Sequence, residues 1–465
     1  MYEVPQQPSF WESNRIFVKA LLTGFLILIM FLPAQLVNSL INEREQRQKD
    51  VVSEVSSKWA GKQTITGPVL MVPYKEYASK DGKTTVTTKI AYILPDELHI
   101  TGEMQPHEKK RSLYSVMLYH SDIKLAGKFG SLPLTQLGIA PESVDWQNVK
   151  LVLSVGDLKG INEQVQLSWN GSKQQLDAGV PDNQLMSQGV SAPVPVTLDG
   201  TSSFEIDMSL LGSDYLYFTS TGKTTDVSMK GDWKDPAFDG QYLPISSDIT
   251  NKGFTAQWKV LPLSHTYPQY WKNSTQDLNS AAFGVRLIQP VDGYSKTNRS
   301  IKYAILFIAL TFAFIFFTEI LQKVNVHALQ YILVGLALTI FYTLLLSVSE
   351  YTGFNIAYLL ASVATVSLIG LYASSVFKNN KNALGLVALL CALYGYIFIL
   401  IQLEDYALLF GSIGLFVILA IIMYYSRKIE WKTTTDAPAP AMAHAAPPVK
   451  NDLENDVNEQ VINES

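Results

Sequence analysis

Few residues in this chain could assemble chemistry: six histidines, one cysteine and a scatter of carboxylates. His99, His107 and His120 are nearest one another, eight and thirteen positions apart. On extended chain those separations give no metal-binding register such as H-x-x-x-H. His120 and Asp122 would serve an acid–base reaction at a surface. Asp232, Asp235 and Asp239 lie close together in GDWKDPAFDG. Calcium would need such carboxylates, but a Pro/Gly turn with solvated aspartates accounts for them more simply. There is no G-x-S-x-G elbow, no S-x-x-K set, no Walker A loop, no dinucleotide glycine fingerprint and no EF-hand loop. Cys391 stands alone, which excludes an internal disulfide and a cysteine metal cluster. The sequence therefore predicts no catalytic, cofactor-binding or metal-ligating residue.

A second pair sits in apolar surroundings. HALQYILVGLALTIFYTLLLSVSEYTGF runs from His327 to Phe354 with no charge before Glu350. An imidazole and a carboxylate inside a membrane are the parts of a proton relay. Their 23-position separation is about 34 Å of helix, a full membrane thickness, so they cannot meet on their own helix. Glu319 lies one turn from Lys323, a spacing that permits pairing. No Asp, Glu, Lys or Arg falls near the midpoint of any apolar run, and the five later runs contain no proline. Ion-coupled transporters keep ionisable groups and broken helices at that depth. A packed bundle with carboxylates at its edges is the expected arrangement.

These residues are positioned by an unusual composition. Of 465 residues, 48% are hydrophobic and only 17% charged, against roughly 25% in soluble domains. The net charge of −5 gives no basic footprint for nucleic acid. Six stretches approach the roughly 20 apolar residues that cross a bilayer: Phe17 to Val37, Tyr303 to Ile320, Leu329 to Val348, Phe354 to Phe377, Ala383 to Leu403 and Tyr406 to Tyr425. Lys323, Lys378, Lys381, Arg427 and Lys428 fall at alternate ends of the last five, while Glu350, Glu404 and Asp405 mark the other ends. The positive-inside rule then puts both termini in the cytoplasm, with Arg15 and Lys19 ahead of the first span. The missing A-x-A pattern and the length of the first run favour a retained helix over a cleaved leader.

The expected organisation is α+β. Residues 1–41 hold the cytoplasmic N-terminus and first span. Residues 42–300 form a large extracytoplasmic β-rich domain. Residues 301–428 form a five-helix bundle, and 429–465 a disordered cytoplasmic tail, Pro/Ala-rich and then acidic. Val51, Val55 and Trp59 recur at helical spacing, which predicts a helix leaving the membrane and capped near Gly61. Eight short runs follow, among them KTTVTTKIAYIL, SLYSVMLYHSDIKLAGKF and FTAQWKVL. They are rich in β-branched and aromatic residues, several alternate with period two, and turn residues such as NGS at Asn170 separate them. This pattern predicts an antiparallel sandwich or distorted barrel.

Three stretches carry a resemblance. They are LPAQLVNSLINEREQRQKDVVSEVSSKWAGKQTITGPVLMVPY, AAFGVRLIQPVDGYSKTNRSIKYAILFIALTF and the run from His327 extended through GFNIAY. Together they resemble the CreD family of bacterial inner-membrane proteins, over nearly the whole chain from Phe10 to Trp431. The resemblance implies a role in cell-envelope integrity, with links to carbon-responsive signalling, colicin tolerance and β-lactam response, and supplies no catalytic residue. The sequence reading is a non-enzymatic, multi-pass inner-membrane protein whose outer domain supports or senses the envelope. The lipid bilayer is its environment, and an envelope component or membrane protein its partner. Two rivals stand. One is a transporter or channel lined by Ser362, Thr365, Ser367, Ser374 and Ser375. The other is a membrane-anchored enzyme acting on lipid or peptidoglycan through residues such as His120 and Asp122. Trp59, Gln63, Thr64, Gly67 and Pro68, at a turn between the opening helix and the first strand, are the candidate functional positions, with His327 and Glu350.

Overall fold

The computed structural model describes residues 15–80, 83–183, 185–287, 293–322, 324–377, 380–403 and 406–427. Lys323, Lys378, the Glu404–Asp405 corner and the Pro/Ala-rich and acidic tail lie outside them. Helix α1 (Arg15–Trp59) is continuous through Pro33 and 45 residues long. At 1.5 Å per residue it reaches about 67 Å, roughly twice the hydrocarbon core. Beyond the apolar run, pairs one turn apart sustain it: Glu45 with Lys49 at 2.7 Å and Glu54 with Lys58 at 2.6 Å.

Seventeen strands follow among the described residues. They are β1 (Gln63–Lys80), β2 (Lys83–Ile93), β3 (Glu97–Arg111), β4 (Tyr114–Phe129), β5 (Lys150–Ser154), β6 (Gln166–Trp169), β7 (Ser172–Gln175), β8 (Asp177–Ala178) and β9 (Val190–Pro193). Then come β10 (Ser202–Ser213), β11 (Tyr215–Thr219), β12 (Thr224–Gly231), β13 (Pro236–Gly240), β14 (Ser246–Thr250), β15 (Gly253–Val260), β16 (Tyr270–Lys272) and β17 (Ala282–Leu287). One sheet runs β13-β17-β11-β1-β5-β9-β8, with β2 also paired to β1 and β16 to β2; the other runs β14-β15-β12-β3-β4-β10-β6-β7. Their inner faces enclose one core, in which Trp169, Trp258, Phe218 and Phe283 are fully buried. Each such side chain contributes about 2–3 kcal/mol by leaving water. β3 shows how the faces sort. Leu98, Ile100 and Met104 point in, while His99, Thr101 and Glu103 point out. Asn170 and Gly171, both at positive φ, close the two-residue turn from β6 to β7.

The sandwich is not purely antiparallel. β1 pairs with β11 and β3 with β12 in parallel, with Gln63 opposite Leu216 and Glu97 opposite Thr224. Alternation along a strand sets which face is buried and carries no information on partner direction. The stretch around Gly67 and Pro68 also departs from expectation. It is no turn, but the interior of β1, where the register shifts between Thr66 and Val69. Gly67 has φ of +120°, and Pro68, which lacks an N–H, is accommodated at this bulge.

A short helix α2 (Gly293–Ile301) precedes five long ones: α3 (Ala304–Gln322), α4 (Ala328–Thr352), α5 (Phe354–Phe377), α6 (Asn380–Gln402) and α7 (Ala407–Ser426). With α1 these five give six helices, among the described residues, long and apolar enough to cross a membrane. Aromatic rings fill their core, with Phe307 and Phe341 lying 4.5 and 4.7 Å from Tyr394 between centroids. Met30 of α1 sits over Gly335, where a Cβ would meet its sulfur at 2.6 Å. None of the residues of α7 is buried.

One ion pair is enclosed in the bundle. Glu319, 5% exposed, takes Lys19 of α1 as its partner. Lys323, the neighbour expected for it, lies outside the described residues. The Tyr331 hydroxyl donates to the second carboxylate oxygen at 3.1 Å, and the Val326 amide donates at 3.3 Å. Both oxygens of this buried carboxylate are thus engaged. We expect Lys19→Met to cost about 3 kcal/mol, because it strands that carboxylate. The detergent-solubilised variant should melt about 5–10 °C lower. The charge swap Lys19→Glu with Glu319→Lys should recover part of the loss, and an unchanged melt for Lys19→Met would refute the pairing.

Candidate functional site

The sandwich is joined to the bundle at three places. The first is α1, whose Val55 is buried against Val116 and Leu118 of β4. Beside it, Arg111 donates to Glu54 at 3.0 Å. The Trp59 ring meets His107 edge-on at 5.5 Å and lies under the Lys109 ammonium, also at 5.5 Å. The Trp59 indole N–H is buried and finds no acceptor among the described residues.

The second joint is the tip of the β3–β4 hairpin. Ser112 takes a positive φ there, and Tyr114 follows. Tyr114 is 6% exposed, and it packs with the apolar core of the bundle, not that of the sandwich. The third joint is α2. Its buried face presents Tyr294, whose hydroxyl donates to Glu350 Oε1 at 2.8 Å. Burial first, then the Glu350 carboxylate and the nearby Tyr114, push the Tyr294 phenol far above the usual tyrosine range. It therefore stays a donor throughout physiological pH. Lys296 of α2 donates to Gln402 at 3.2 Å, and Gln402 donates to Asn355 at 2.7 Å. Gly353, at φ of +80°, lets α4 turn directly into α5. The ends of α4, α5 and α6 thus converge on one short helix.

Glu350 belongs to this joint and His327 does not. His327 stands at the other end of α4, where its Nδ1 accepts from the Leu329 amide at 3.3 Å. Its own amide donates to the Gln330 side chain at 2.9 Å. This reciprocal cap satisfies two of the orphan amides of the helix start. The two residues share no contact.

Gln63, Thr64, Gly67 and Pro68 lie together in β1, and Trp59 ends α1 just before it. Gly61 does not cap the helix in a left-handed turn; its amide donates to Asp157 at 2.9 Å. Gln63 is fully buried. Its amide nitrogen donates to the Asp157 and Leu211 carbonyls at 3.0 and 2.9 Å, and its oxygen accepts from the Asp157 amide at 3.0 Å. Thr64 is half-buried opposite Tyr217. A Cβ on Gly67 would stand 3.0 Å from the Val152 carbonyl, and the Gly67 carbonyl accepts from Thr221 at 2.9 Å. The stretch locks the helix to the sheet and leaves no open cleft.

The remaining constellations can do little chemistry. His120 Nε2 lies 2.6 Å from Ser209 Oγ and 3.4 Å from Asp122 Oδ1. Both contacts use one ring nitrogen. A hydrolytic relay needs the carboxylate on the other nitrogen, so this is no triad. Ser209 was not singled out from sequence; its register opposite Asp122 is a tertiary fact. Asp239 does not join Asp232 and Asp235 in a loop. It pairs instead with Arg286 at 3.4 Å and accepts from Tyr217. No three metal-ligating side chains come together among the described residues. Of the hydroxyls proposed to line a pore, Ser362 and Thr365 are buried, whereas Ser367, Ser374 and Ser375 face outward. One stripe of five therefore does not form.

Removing the Gln63 amide tests the lock. Gln63→Leu keeps the volume and orphans three buried backbone groups, so we expect a loss of about 3 kcal/mol. The sandwich should then become protease-sensitive at lower temperature, and wild-type resistance would discount the clamp.

A family model described as inner membrane protein CreD matches residues 15–432. The Escherichia coli protein named Inner membrane protein CreD is 32% identical over 434 residues, covering 92% of this chain and 94% of that protein. Among solved structures, an M1 zinc metallopeptidase from Deinococcus radiodurans overlaps 36% of this chain and 39% of its own, with a TM-score of 0.17 and 12% identity. That likeness is too slight to bear on the fold. The two sequence matches, spanning helices and sandwich alike, place this chain in the CreD family of inner membrane proteins.

Proposed function

We propose that the sandwich stands in the periplasm and reads the state of the cell envelope, and that its three joints pass that state to the bundle. The observation that carries this reading is the seat of Tyr114. A sandwich residue 6% exposed within the helical core couples the two parts by direct packing, where a plain anchor would need only a linker. The Tyr294–Glu350 hydrogen bond adds a polar tie at the same level. The family is an inner-membrane one and not a known enzyme family, in keeping with a non-enzymatic role. Both termini are cytoplasmic in this reading, supported by Lys381 and Arg427 at the ends of the bundle away from Glu350. The division is then residues 1–41 as N-terminus and first span, 42–300 as periplasmic domain, 301–428 as bundle and 429–465 as cytoplasmic tail. The partner is an envelope component or a second membrane protein.

Orientation is tested by thiol labelling. In a Cys391→Ser background, Thr87→Cys on exposed β2 should react with a membrane-impermeant maleimide in intact cells. Protection until the cells are lysed would reverse the topology.

Function is tested in a deletion strain under detergent and envelope stress. The full chain should restore survival. The Tyr294→Phe and Glu350→Ala variants, inserted at wild-type levels, should lose at least tenfold of it. A truncation ending at Ser300 that restores full survival would make the bundle a passive anchor and overturn the coupling.

A further inference from the structure

Where α1 passes the junction of α2 and α3, a groove of about 270 Å³ opens between them. Its two walls run antiparallel and share one polarity. On α1, Ile27 and Phe31 line the deep end, and Gln35, Asn38 and Asn42 the shallow end. On the facing wall, Ile305 and Ile308 lie deep, and Asn298 and Lys302 shallow. Asn298 donates to Asn42 at 3.3 Å, which fixes the level of the two helices. Measured inward from that contact, Phe31 and Ile308 both lie about 15 Å down at 1.5 Å per residue. Gln35 and Ile305 each lie seven residues in from that contact, so amide and hydrocarbon overlap there, and both walls are hydrocarbon beyond it. That is the profile of the boundary between headgroups and acyl chains.

Three features of the shallow end suit an anionic ligand. The side-chain amides of Gln35 and Asn38 have no hydrogen-bond partner among the described residues, although both sit at the rim of an apolar span. Lys302 forms no ion pair among those residues. Lys302 also follows Lys296 and Arg299, at the end of the bundle opposite Lys381 and Arg427. A lysine at the level of the headgroups is complementary to an anionic one.

We propose that this groove binds an anionic phospholipid of the leaflet next to the sandwich. Lys302 pairs with its phosphate, the Gln35 and Asn38 amides donate to its phosphate and ester oxygens, and one acyl chain lies along Phe31 and Ile308. The volume is below that of a typical small-molecule pocket, so the groove takes a headgroup and the start of a chain.

The test is native mass spectrometry of the full chain, released from nanodiscs holding equal phosphatidylglycerol and phosphatidylcholine. Wild type should retain phosphatidylglycerol at collision energies that strip phosphatidylcholine. Lys302→Gln should weaken phosphatidylglycerol retention at least fivefold. Lys302→Arg should preserve it, and Gln35→Leu with Asn38→Leu should weaken it in a chain that still carries the lysine. Melting curves matching wild type would show that these exposed positions leave the fold intact. Equal retention of the two lipids would overturn the proposal. So would an equal loss in Lys381→Gln, which would mark general surface charge, or displacement of the lipid by millimolar inorganic phosphate, which would mark a soluble anion as the ligand.

Discussion

One helix has to satisfy two solvents at once, and most of the architecture depends on how it does so. Within the bilayer, α1 must turn apolar side chains outward and still give the bundle a face. Leu26, Met30, Ala34 and Ile41 supply that face. Past the headgroups the same helix must be polar outside and apolar toward the sheet, which Val51, Val55 and Trp59 accomplish. No water is present in hydrocarbon to satisfy backbone groups, so the segment has to be helical while it crosses. It stays helical afterwards because its exit is braced on β4.

That bracing explains where the polar residues of the bundle went. Glu319, Glu350 and His327 are all occupied by structural partners: a lysine from α1, a tyrosine from α2 and the start of α4 itself. Each lies at the end of a helix, where a carboxylate or imidazole meets orphan amides or an interface. A membrane protein that works by carrying protons would place some of them deeper. The hydroxyl of Tyr342, by contrast, is buried deep in the bundle without a hydrogen-bond partner among the described residues, and the pattern of charges gave no hint of it.

Much of this was legible in the residues. A run of apolar residues of membrane length is a one-dimensional signal, and the five later spans differ from those expected by only a few positions. The Asn170–Gly171 turn was equally plain, since few residues tolerate its backbone. Three things were hidden for physical reasons. The partner of Glu319 lies 300 positions away, beyond any local spacing rule. β3 was missed because its outward residues are nearly all polar or charged and only Leu98, Ile100 and Met104 mark its inner face. α2 is nine residues long and mostly polar, and it exists because the bundle ends receive it. The segment from Trp59 to Pro68 was marked as special, but its place inside a sheet rests on strands drawn from far along the chain.

The unbroken course of α1 also restricts how such a chain can change over generations. Ile41 in the bundle core and Val55 against β4 are 14 residues apart on one rigid rod, close to four full turns. Inserting or deleting a single residue between them would rotate one end against the other by about 100°, so that one of the two cores would lose its side chain. Seven residues would misalign them by only about 20°, and would lift the sandwich about 10 Å from the bilayer. The separation between membrane and sandwich is therefore quantised. Its loops can drift in length freely, while this rod can change only by near-whole numbers of turns, as with seven or eleven residues.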